Sequence, residues 1–402
     1  MTAHIGRDPI GARVTVVLCA LASLLEGFDN QSIGVAAPKL ALEFALSPEQ
    51  KGLVFSAATL GLFIGAALGG RVSDILGRRR MLAASLLLFG LCSFLTAMAT
   101  GPQSLIVARL LTGLGLGGAM PTFIALSSES VPPQRRVSAV TIIMAGMPLG
   151  GAVAGLIAVG DQFGWGWRTI FYVGGAAPIL LSWLVLRGLP PEPLGSRPVS
   201  SARLESVSTV LFGSARALTT ALLWIGFFFT QLVLLLMLNW LPSLLVGLGF
   251  SRTHASWASV CFNLSGALGA MVIGHLHAGT QKRFWVALTY LGMGLALAAL
   301  PAVGGSLSVA TMACALAGLF IIGAQLVLFA LAPLYYARPI RGTGVGAAVA
   351  MGRLGSVVGP LYASMLLGGG GTSATVLIGI LPFVAVGGAA ALALTWRTQR
   401  YD

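Results

Sequence analysis

The chain has 402 residues, of which 56% are hydrophobic and only 9% are charged. A soluble protein carries about 25% charged residues, so the composition excludes an ordinary soluble enzyme and indicates a polytopic membrane protein. The net charge of +13 does not indicate binding to nucleic acid, because the basic residues are spread over short loops between apolar segments.

Twelve apolar runs have the length of about 20 residues that a helix needs to cross a bilayer. The predicted spans lie near residues 14–38, 51–72, 80–99, 104–127, 137–160, 167–187, 219–246, 254–277, 284–303, 306–335, 342–366 and 373–396. The pattern predicts an all-α membrane protein with twelve transmembrane helices. Its one long polar stretch, residues 188–218, is rich in Pro, Ser and Arg and is typical of a linker.

This linker predicts a cytoplasmic connection between an N-terminal six-helix bundle (1–187) and a C-terminal six-helix bundle (219–402). Traces of repetition support two pseudo-symmetric halves: the segment GMPLG at 146–150 has a counterpart, GRLG, at 352–355. Many secondary transporters are built from such repeats.

The basic residues predict the orientation of the spans. With both termini in the cytoplasm, 18 of the 24 Lys and Arg residues lie on the cytoplasmic side and 4 lie outside. This is the positive-inside pattern. The preference for Arg over Lys, with abundant Ala and Gly, is typical of a GC-rich bacterium. We therefore expect a multi-pass protein of the cell inner membrane with both termini cytoplasmic.

Two carboxylates interrupt the first apolar run. Glu26 and Asp29 are three residues apart, so both project from one face of a helix. Ionised carboxylates are costly inside a membrane, and two that lie close together disfavour double ionisation. We interpret the pair as a proton-binding site; the alternative is that one or both lie near the helix end and are hydrated.

The segment GGRVSDILGRRR at 69–80 follows the second span. It resembles the signature of the loop between spans 2 and 3 in the major facilitator superfamily, which implies that fold. Two departures are Ile75, where a basic residue is usual, and Ala278, where the second half often has Asp; both predict a weaker cytoplasmic charge lock. The motif positions are Gly70, Asp74, Gly77 and Arg78.

Within that superfamily the chain resembles the aromatic acid:proton symporters. The segment EGFD at 26–29 is similar to their D-G-x-D signature, with Glu for the first Asp. Further matches include RLLTGLGLG at 109–117, NWLP at 239–242, ALAPLYY at 330–336 and RGTGVG at 341–346. The branch that resembles 3-(3-hydroxyphenyl)propionate transporters is the most similar. The resemblance implies proton-driven uptake of an aromatic carboxylate.

The resemblance favours Arg353, inside an apolar and Gly-rich span, as the group that binds the substrate carboxylate. An arginine in a membrane must face a cavity or a partner, and its planar fork suits bidentate contact with a carboxylate. The alternative is a structural ion pair with Glu26 or Asp29. If the substrate carboxylate and Asp29 competed for Arg353, that competition would itself be a mechanism that couples the substrate to the proton.

Other polar and aromatic residues are weaker candidates. Arg109 either lines the path or snorkels to the surface, and Glu129 and Arg341 are expected in a gate or a structural salt bridge. Amides within spans ordinarily bond between helices, whereas an aromatic acid needs a flat apolar slot with a few polar groups. The candidates for that slot are Phe28, Asn239, Trp240, Gln325 and Tyr336.

Several classes of function lack their motifs. There is no G-x-x-x-x-G-K-S/T loop for nucleotide, no spacing of histidines typical of a zinc site, and no Ser/His/Asp arrangement for catalysis. We therefore expect no cofactor, no metal and no enzymatic activity, and a monomer suffices for the architecture. The partners that we expect are protons, a small aromatic carboxylate and the lipid bilayer.

Two other functions are compatible with the spans. A drug/proton antiporter of the same fold would suit Glu26 and Asp29, but Arg353 argues against a cationic substrate. A non-transporting membrane sensor of aromatic acids is disfavoured because the short termini leave no room for a signalling domain.

Overall fold

The computed structural model describes residues 9–132, 135–160, 164–189, 207–213, 216–276, 282–303, 305–336 and 340–397. The helices before the predicted linker are α1 (Pro9–Glu43), α2 (Pro48–Leu76), α3 (Arg78–Ala97), α4 (Pro102–Ser130), α5 (Arg136–Val159) and α6 (Arg168–Gly188). Those that follow are α7 (Val207–Phe212), α8 (Ala217–Gly247), α9 (Arg252–Leu276), α10 (Lys282–Ala299), α11 (Leu307–Leu331), α12 (Arg341–Gly368), α13 (Ser373–Gly379) and α14 (Leu381–Thr395).

All twelve predicted spans fall on these helices, which confirms the prediction of an all-α membrane fold. Over the described residues, 11 helical segments are long and apolar enough to cross a bilayer, with α13 and α14 counted as one. The predicted eighth span is α9, which has 25 residues but carries several polar side chains. A bilayer imposes helices because backbone groups in hydrocarbon must be hydrogen-bonded within their own segment.

Glycine and proline set the helix ends. Gly77 separates α2 from α3 with a φ of 85°, a left-handed conformation that favours glycine. The last predicted span is broken between α13 and α14 next to Pro382, which lacks the N–H that a continuous helix would use. The hydroxyl of Tyr362 donates to the carbonyl of Gly379 at this break (3.1 Å).

The contacts between helices divide the chain into two units. Unit 1 contains the described residues of Met1–Ser32, Ala57–Ile157 and Phe163–Val199. Unit 2 contains the described residues of Ile33–Ser56, Ala158–Gln162 and Ser200–Asp402. The C-terminal end of α1 and the N-terminal end of α2 thus belong to unit 2. Most of the predicted linker lies outside the described residues.

Within each unit, helices are held together by the close approach of their backbones. In unit 1, a methyl group at Gly27 would overlap the carbonyl of Met147, and one at Gly150 would overlap the carbonyl of Leu24, so α1 and α5 pack backbone to backbone. In unit 2, Gly355 lies in the same way against Phe228 of α8. Small residues allow this packing in lipid, and it fixes α1 and α12, the helices that carry the predicted charges.

Candidate functional site

A buried ion pair joins α1 to α4 inside unit 1. Arg109 Nη2 donates to Asp29 Oδ2 (2.9 Å) and Nη1 donates to Oδ1 (3.1 Å). A third, longer bond runs from Nη2 to the backbone carbonyl of Asp29 (3.4 Å). Both side chains are 1% exposed. This is the bidentate geometry of a strong arginine–carboxylate pair, and it excludes the snorkelling position for Arg109.

The surroundings of the pair are apolar. The guanidinium carbon of Arg109 lies 6.0 Å from the centre of the Phe171 ring on α6, at the outer limit of a cation–π contact. Ser93 of α3 donates its hydroxyl to the Phe171 carbonyl (3.1 Å) and so holds this part of α6 in place. Water is therefore kept from the pair, whose two charges are balanced mainly by each other.

Glu26 lies one turn before Asp29 on α1 and is also fully buried. This burial argues against the alternative that the two carboxylates are hydrated at a helix end. Phe28, which lies between them in the sequence, is also buried, and its ring packs on Gly174 of α6, where a methyl group would lie 3.0 Å from Cε1. Phe28 therefore has a packing role in unit 1.

The two charges of the pair depend on each other. A buried pair is stable only while each ion has its partner, and removal of one partner leaves an uncompensated buried charge. The geometry thus pairs Asp29, a predicted proton-binding residue, with Arg109, for which the sequence left a place along the path and a snorkelling position open.

Arg353 lies on α12 in unit 2 and is partly buried. Its neighbour Gly352 packs on α8, where a methyl group would lie 3.0 Å from Cγ of Gln231. The segment of α12 that carries Arg353 therefore contacts α8 at Gln231 and Phe227, and the substrate role of Arg353 stays a prediction.

Trp240 and Asn239 lie in the C-terminal part of α8. The indole Nε1 of Trp240 donates to the carbonyl of Pro360 on α12 (3.1 Å). Phe55 meets its ring edge-on at 5.2 Å, and Lys51 Nζ lies 5.4 Å from its centre. Asn239 is 3% exposed. Trp240 thus joins α8 and α12 to the N-terminal part of α2 within unit 2.

Tyr336 lies at the other end of unit 2. Its hydroxyl is 2.9 Å from the hydroxyl of Thr220 near the start of α8, and Arg341 Nε donates to its carbonyl (3.3 Å). Thr220 and Trp240 are 20 residues apart on one helix, or about 30 Å. The structure therefore does not bring Trp240 and Tyr336 together as walls of one slot.

Gln325 of α11 and Gln231 of α8 are 7% and 6% exposed. Within the part of the chain that the structure describes, neither polar atom of the Gln325 amide has a hydrogen-bond partner, and the Gln231 Oε1 atom also lacks one. Buried polar groups ordinarily find partners, so the default expectation of an interhelical bond does not describe these two amides.

Three other predicted positions fall partly outside this description. Gly70 and Asp74 belong to α2 and Glu129 belongs to α4, but their side chains lie outside the described residues. Arg78 begins α3 directly after Gly77.

The pairing of Asp29 with Arg109 was not predicted from the sequence. One signal was available: the described spans carry two central arginines, and only one of them is needed to anchor a substrate carboxylate. Sequence alone does not tell which arginine faces the first span, because that depends on how α1 packs against α4.

The chain combines apolar spans, two glycine-packed units and a buried ion pair away from any helix end. These features together are those of a transport-type membrane fold. Residues 19–360 match the model of the Major Facilitator Superfamily. The chain belongs to this superfamily. Solved structures with the same fold include a bacterial homologue of the Spinster transporter (TM-score 0.79, 17% identity, 97% of this chain and 98% of that one).

A second solved structure of this fold is a D-xylose–proton symporter (TM-score 0.74, 18% identity, 95% of this chain and 97% of that one). Curated relatives are more similar in sequence. The 3-(3-hydroxyphenyl)propionate transporter of Escherichia coli K12 is 41% identical over 96% of this chain and 95% of its own length. The gallate transporter of Pseudomonas putida is 33% identical over 90% and 88%.

The 4-hydroxybenzoate transporter PcaK of Pseudomonas putida is 30% identical over 91% of this chain and 88% of its own length. The chain is thus homologous to transporters of aromatic acids, which confirms the family resemblance of its motifs. Because these relatives are transporters, the prediction that the chain is not an enzyme is also confirmed.

Proposed function

We propose that this protein is a proton-coupled symporter that imports an aromatic carboxylate, such as a hydroxyphenylpropionate or a hydroxybenzoate. The observation that carries the proposal is the buried Asp29–Arg109 pair in a chain homologous to transporters of such acids. Its setting is the inner membrane, with both termini cytoplasmic, the bundles 1–187 and 219–402 as functional halves, and a monomer as the working unit.

The coupling follows from charge balance. Within the described spans, the central charges are Glu26, Asp29, Arg109 and Arg353, two of each sign. A proton that binds to Asp29 adds one positive charge to an interior where uncompensated charge is costly. A carboxylate that binds at the same time restores the balance. Each therefore favours the binding of the other, and we expect one proton per carboxylate.

Roles for the other predicted residues follow from this scheme. Arg353 binds the carboxylate of the substrate through its two parallel N–H groups. Glu26, one turn from Asp29, shares or passes the proton. Arg341 and Glu129, near the inner ends of α12 and α4, act at the gate. The loop motif sets the cytoplasmic contacts of α2 and α3.

Uptake into proteoliposomes tests the proposal. We expect labelled 3-(3-hydroxyphenyl)propionate to accumulate only with an inward proton gradient. Asp29→Asn mimics the protonated pair, so it should lose accumulation but keep exchange of labelled for unlabelled substrate. Arg353→Gln should lose both. Arg283→Gln, on the exposed start of α10, is the control and should transport as the wild type does.

The result that refutes the coupling scheme is accumulation by Asp29→Asn equal to that of the wild type. Exchange that persists at full rate in Arg353→Gln would refute the anchor but leave the coupling intact. Each variant is assayed as monodisperse protein, so that loss of folding is not taken for loss of transport.

The drug/proton antiporter is the second candidate, because Glu26 and Asp29 are also suited to a cation. The same vesicles distinguish the two functions: a symporter stops accumulating when the gradient is reversed, whereas an antiporter accumulates its cation. A membrane sensor would bind the acid with neither accumulation nor exchange.

A further inference from the structure

Two buried amides lie at the same level on facing helices of unit 2. Helices α8 and α11 contact each other at Phe227 and Phe329, whose rings meet edge-on at 5.4 Å. Nearer the start of α8, the hydroxyl of Thr220 lies 2.9 Å from the hydroxyl of Tyr336, which follows the C-terminal end of α11.

The start of α8 thus lies beside the C-terminal end of α11, so the two helices run antiparallel, and the contact of Phe227 with Phe329 sets their register. Gln231 lies four residues beyond Phe227, and Gln325 lies four residues before Phe329. Residues four apart share a face of a helix. The register therefore places Gln231 and Gln325 opposite each other, one turn from the pair of phenylalanine rings.

These amides do not satisfy each other. Both polar atoms of Gln325 and Oε1 of Gln231 have no hydrogen-bond partner among the described residues. A buried polar group without a partner is destabilising in an apolar interior. Two such groups at one level, beside aromatic rings, point to a missing partner that both donates and accepts hydrogen bonds.

A phenolic hydroxyl fits this requirement, because it donates one hydrogen bond and accepts another. Its ring would lie against the apolar surface of Phe227 and Phe329. Gly352, the neighbour of Arg353, packs on the side chain of Gln231, so the predicted carboxylate anchor and the Gln231 amide belong to adjoining segments of α12 and α8. An aromatic acid with its hydroxyl and carboxylate at opposite ends spans such a site.

We propose that Gln231 and Gln325 bind the ring hydroxyl of the substrate and select hydroxylated over unsubstituted aromatic acids. The inference rests on the proposed function and adds a specificity that the function does not require. A site with buried groups for a hydroxyl rejects the analogue that lacks it, since those groups are then left unpaired.

Binding of two acids that differ only in this hydroxyl tests the inference. The purified protein is titrated with 3-(3-hydroxyphenyl)propionate and with 3-phenylpropionate. We expect the wild type to prefer the first by at least about tenfold. Gln325→Met and Gln231→Met keep the shape of the side chain and remove the amide. Each should bring the preference to within about threefold by weakening only the hydroxylated acid.

Asn263→Leu is the matched control. It also removes a buried amide from a span of unit 2, but the Nδ2 of Asn263 is bonded to the Ser259 carbonyl of its own helix (2.9 Å). It should keep the preference of the wild type. Thermal unfolding without ligand gives an independent measure: Gln325→Met should melt no lower than the wild type, since removal of an unsatisfied group is neutral or stabilising.

Four outcomes overturn the inference. The first is equal affinity of the wild type for both acids, and the second is an unchanged preference in both Met variants. The third is an equal loss of affinity for both acids in those variants. The fourth is a melting temperature of Gln325→Met clearly below that of the wild type. If the wild type binds neither these two acids nor 3-hydroxybenzoate and benzoate, the proposed function fails and the inference falls with it. That result differs from equal binding of both acids, which leaves the proposed function standing.

Discussion

Neutralisation of either member of the Asp29–Arg109 pair should destabilise the protein strongly. Two charge-assisted hydrogen bonds of 2.9 and 3.1 Å are lost, each with a value of about 1.5–3 kcal/mol. The two bonds together are worth about 3–6 kcal/mol. This agrees with the loss of about 3–5 kcal/mol that follows when one partner of a buried ion pair is removed. We expect this loss of unfolding free energy for Asp29→Asn and for Arg109→Gln.

The double variant separates the pair from its surroundings. Asn at position 29 and Gln at position 109 together leave no buried charge. The double variant should therefore lose less unfolding free energy than the sum of the two single variants, by about 2 kcal/mol or more. Denaturant titration of the protein in detergent measures all four members of the cycle. Single variants within about 0.5 kcal/mol of the wild type, as for surface changes, or strictly additive effects would refute the reasoning.

Three further changes test the packing of the units. Gly150→Ala should lower the unfolding free energy by about 1–3 kcal/mol, because its methyl group would overlap the α1 backbone. Gly346→Ala is the control and should be neutral, since a methyl group there would have nothing within 4 Å. Thermal melting compares the two variants. Trp240→Phe should lose about 1 kcal/mol of unfolding free energy with its bond to the α12 carbonyl, which the same melting assay measures. Tyr336→Phe should lose about 0.5–1.5 kcal/mol in the same melting assay, since one hydroxyl bond at the start of α8 disappears.

The spans could be predicted from the sequence because a bilayer leaves the backbone little choice. Apolar runs of about 20 residues must form helices there, and all twelve do. The break beside Pro382 was not predicted, because the run 373–396 is continuous in hydropathy and only the backbone shows the missing bond. The division of α1 and α2 between two units also depends on tertiary contacts, which hydropathy does not contain.

The site was predicted in part. Burial of Glu26 and Asp29 followed from their place in the first apolar run, since a run of that length leaves its centre inside the membrane. The partner of Asp29 did not follow, because each span fixes the depth of a residue but not the neighbour that its face meets. Gln231 and Gln325 show the same limit: each has an ordinary amide in an ordinary span, and only the register of α8 on α11 makes them a pair.

The pairing also changes the argument about Arg353. From the sequence, Arg353 could serve either as the structural counter-ion of an acid in the first span or as the anchor of a substrate carboxylate. Asp29 is already satisfied through both carboxylate oxygens by Arg109 within unit 1. The stability of Asp29 therefore does not require Arg353. Glu26 stays open as a structural counter-ion for Arg353, and the role of substrate anchor remains the proposal that the family resemblance favours.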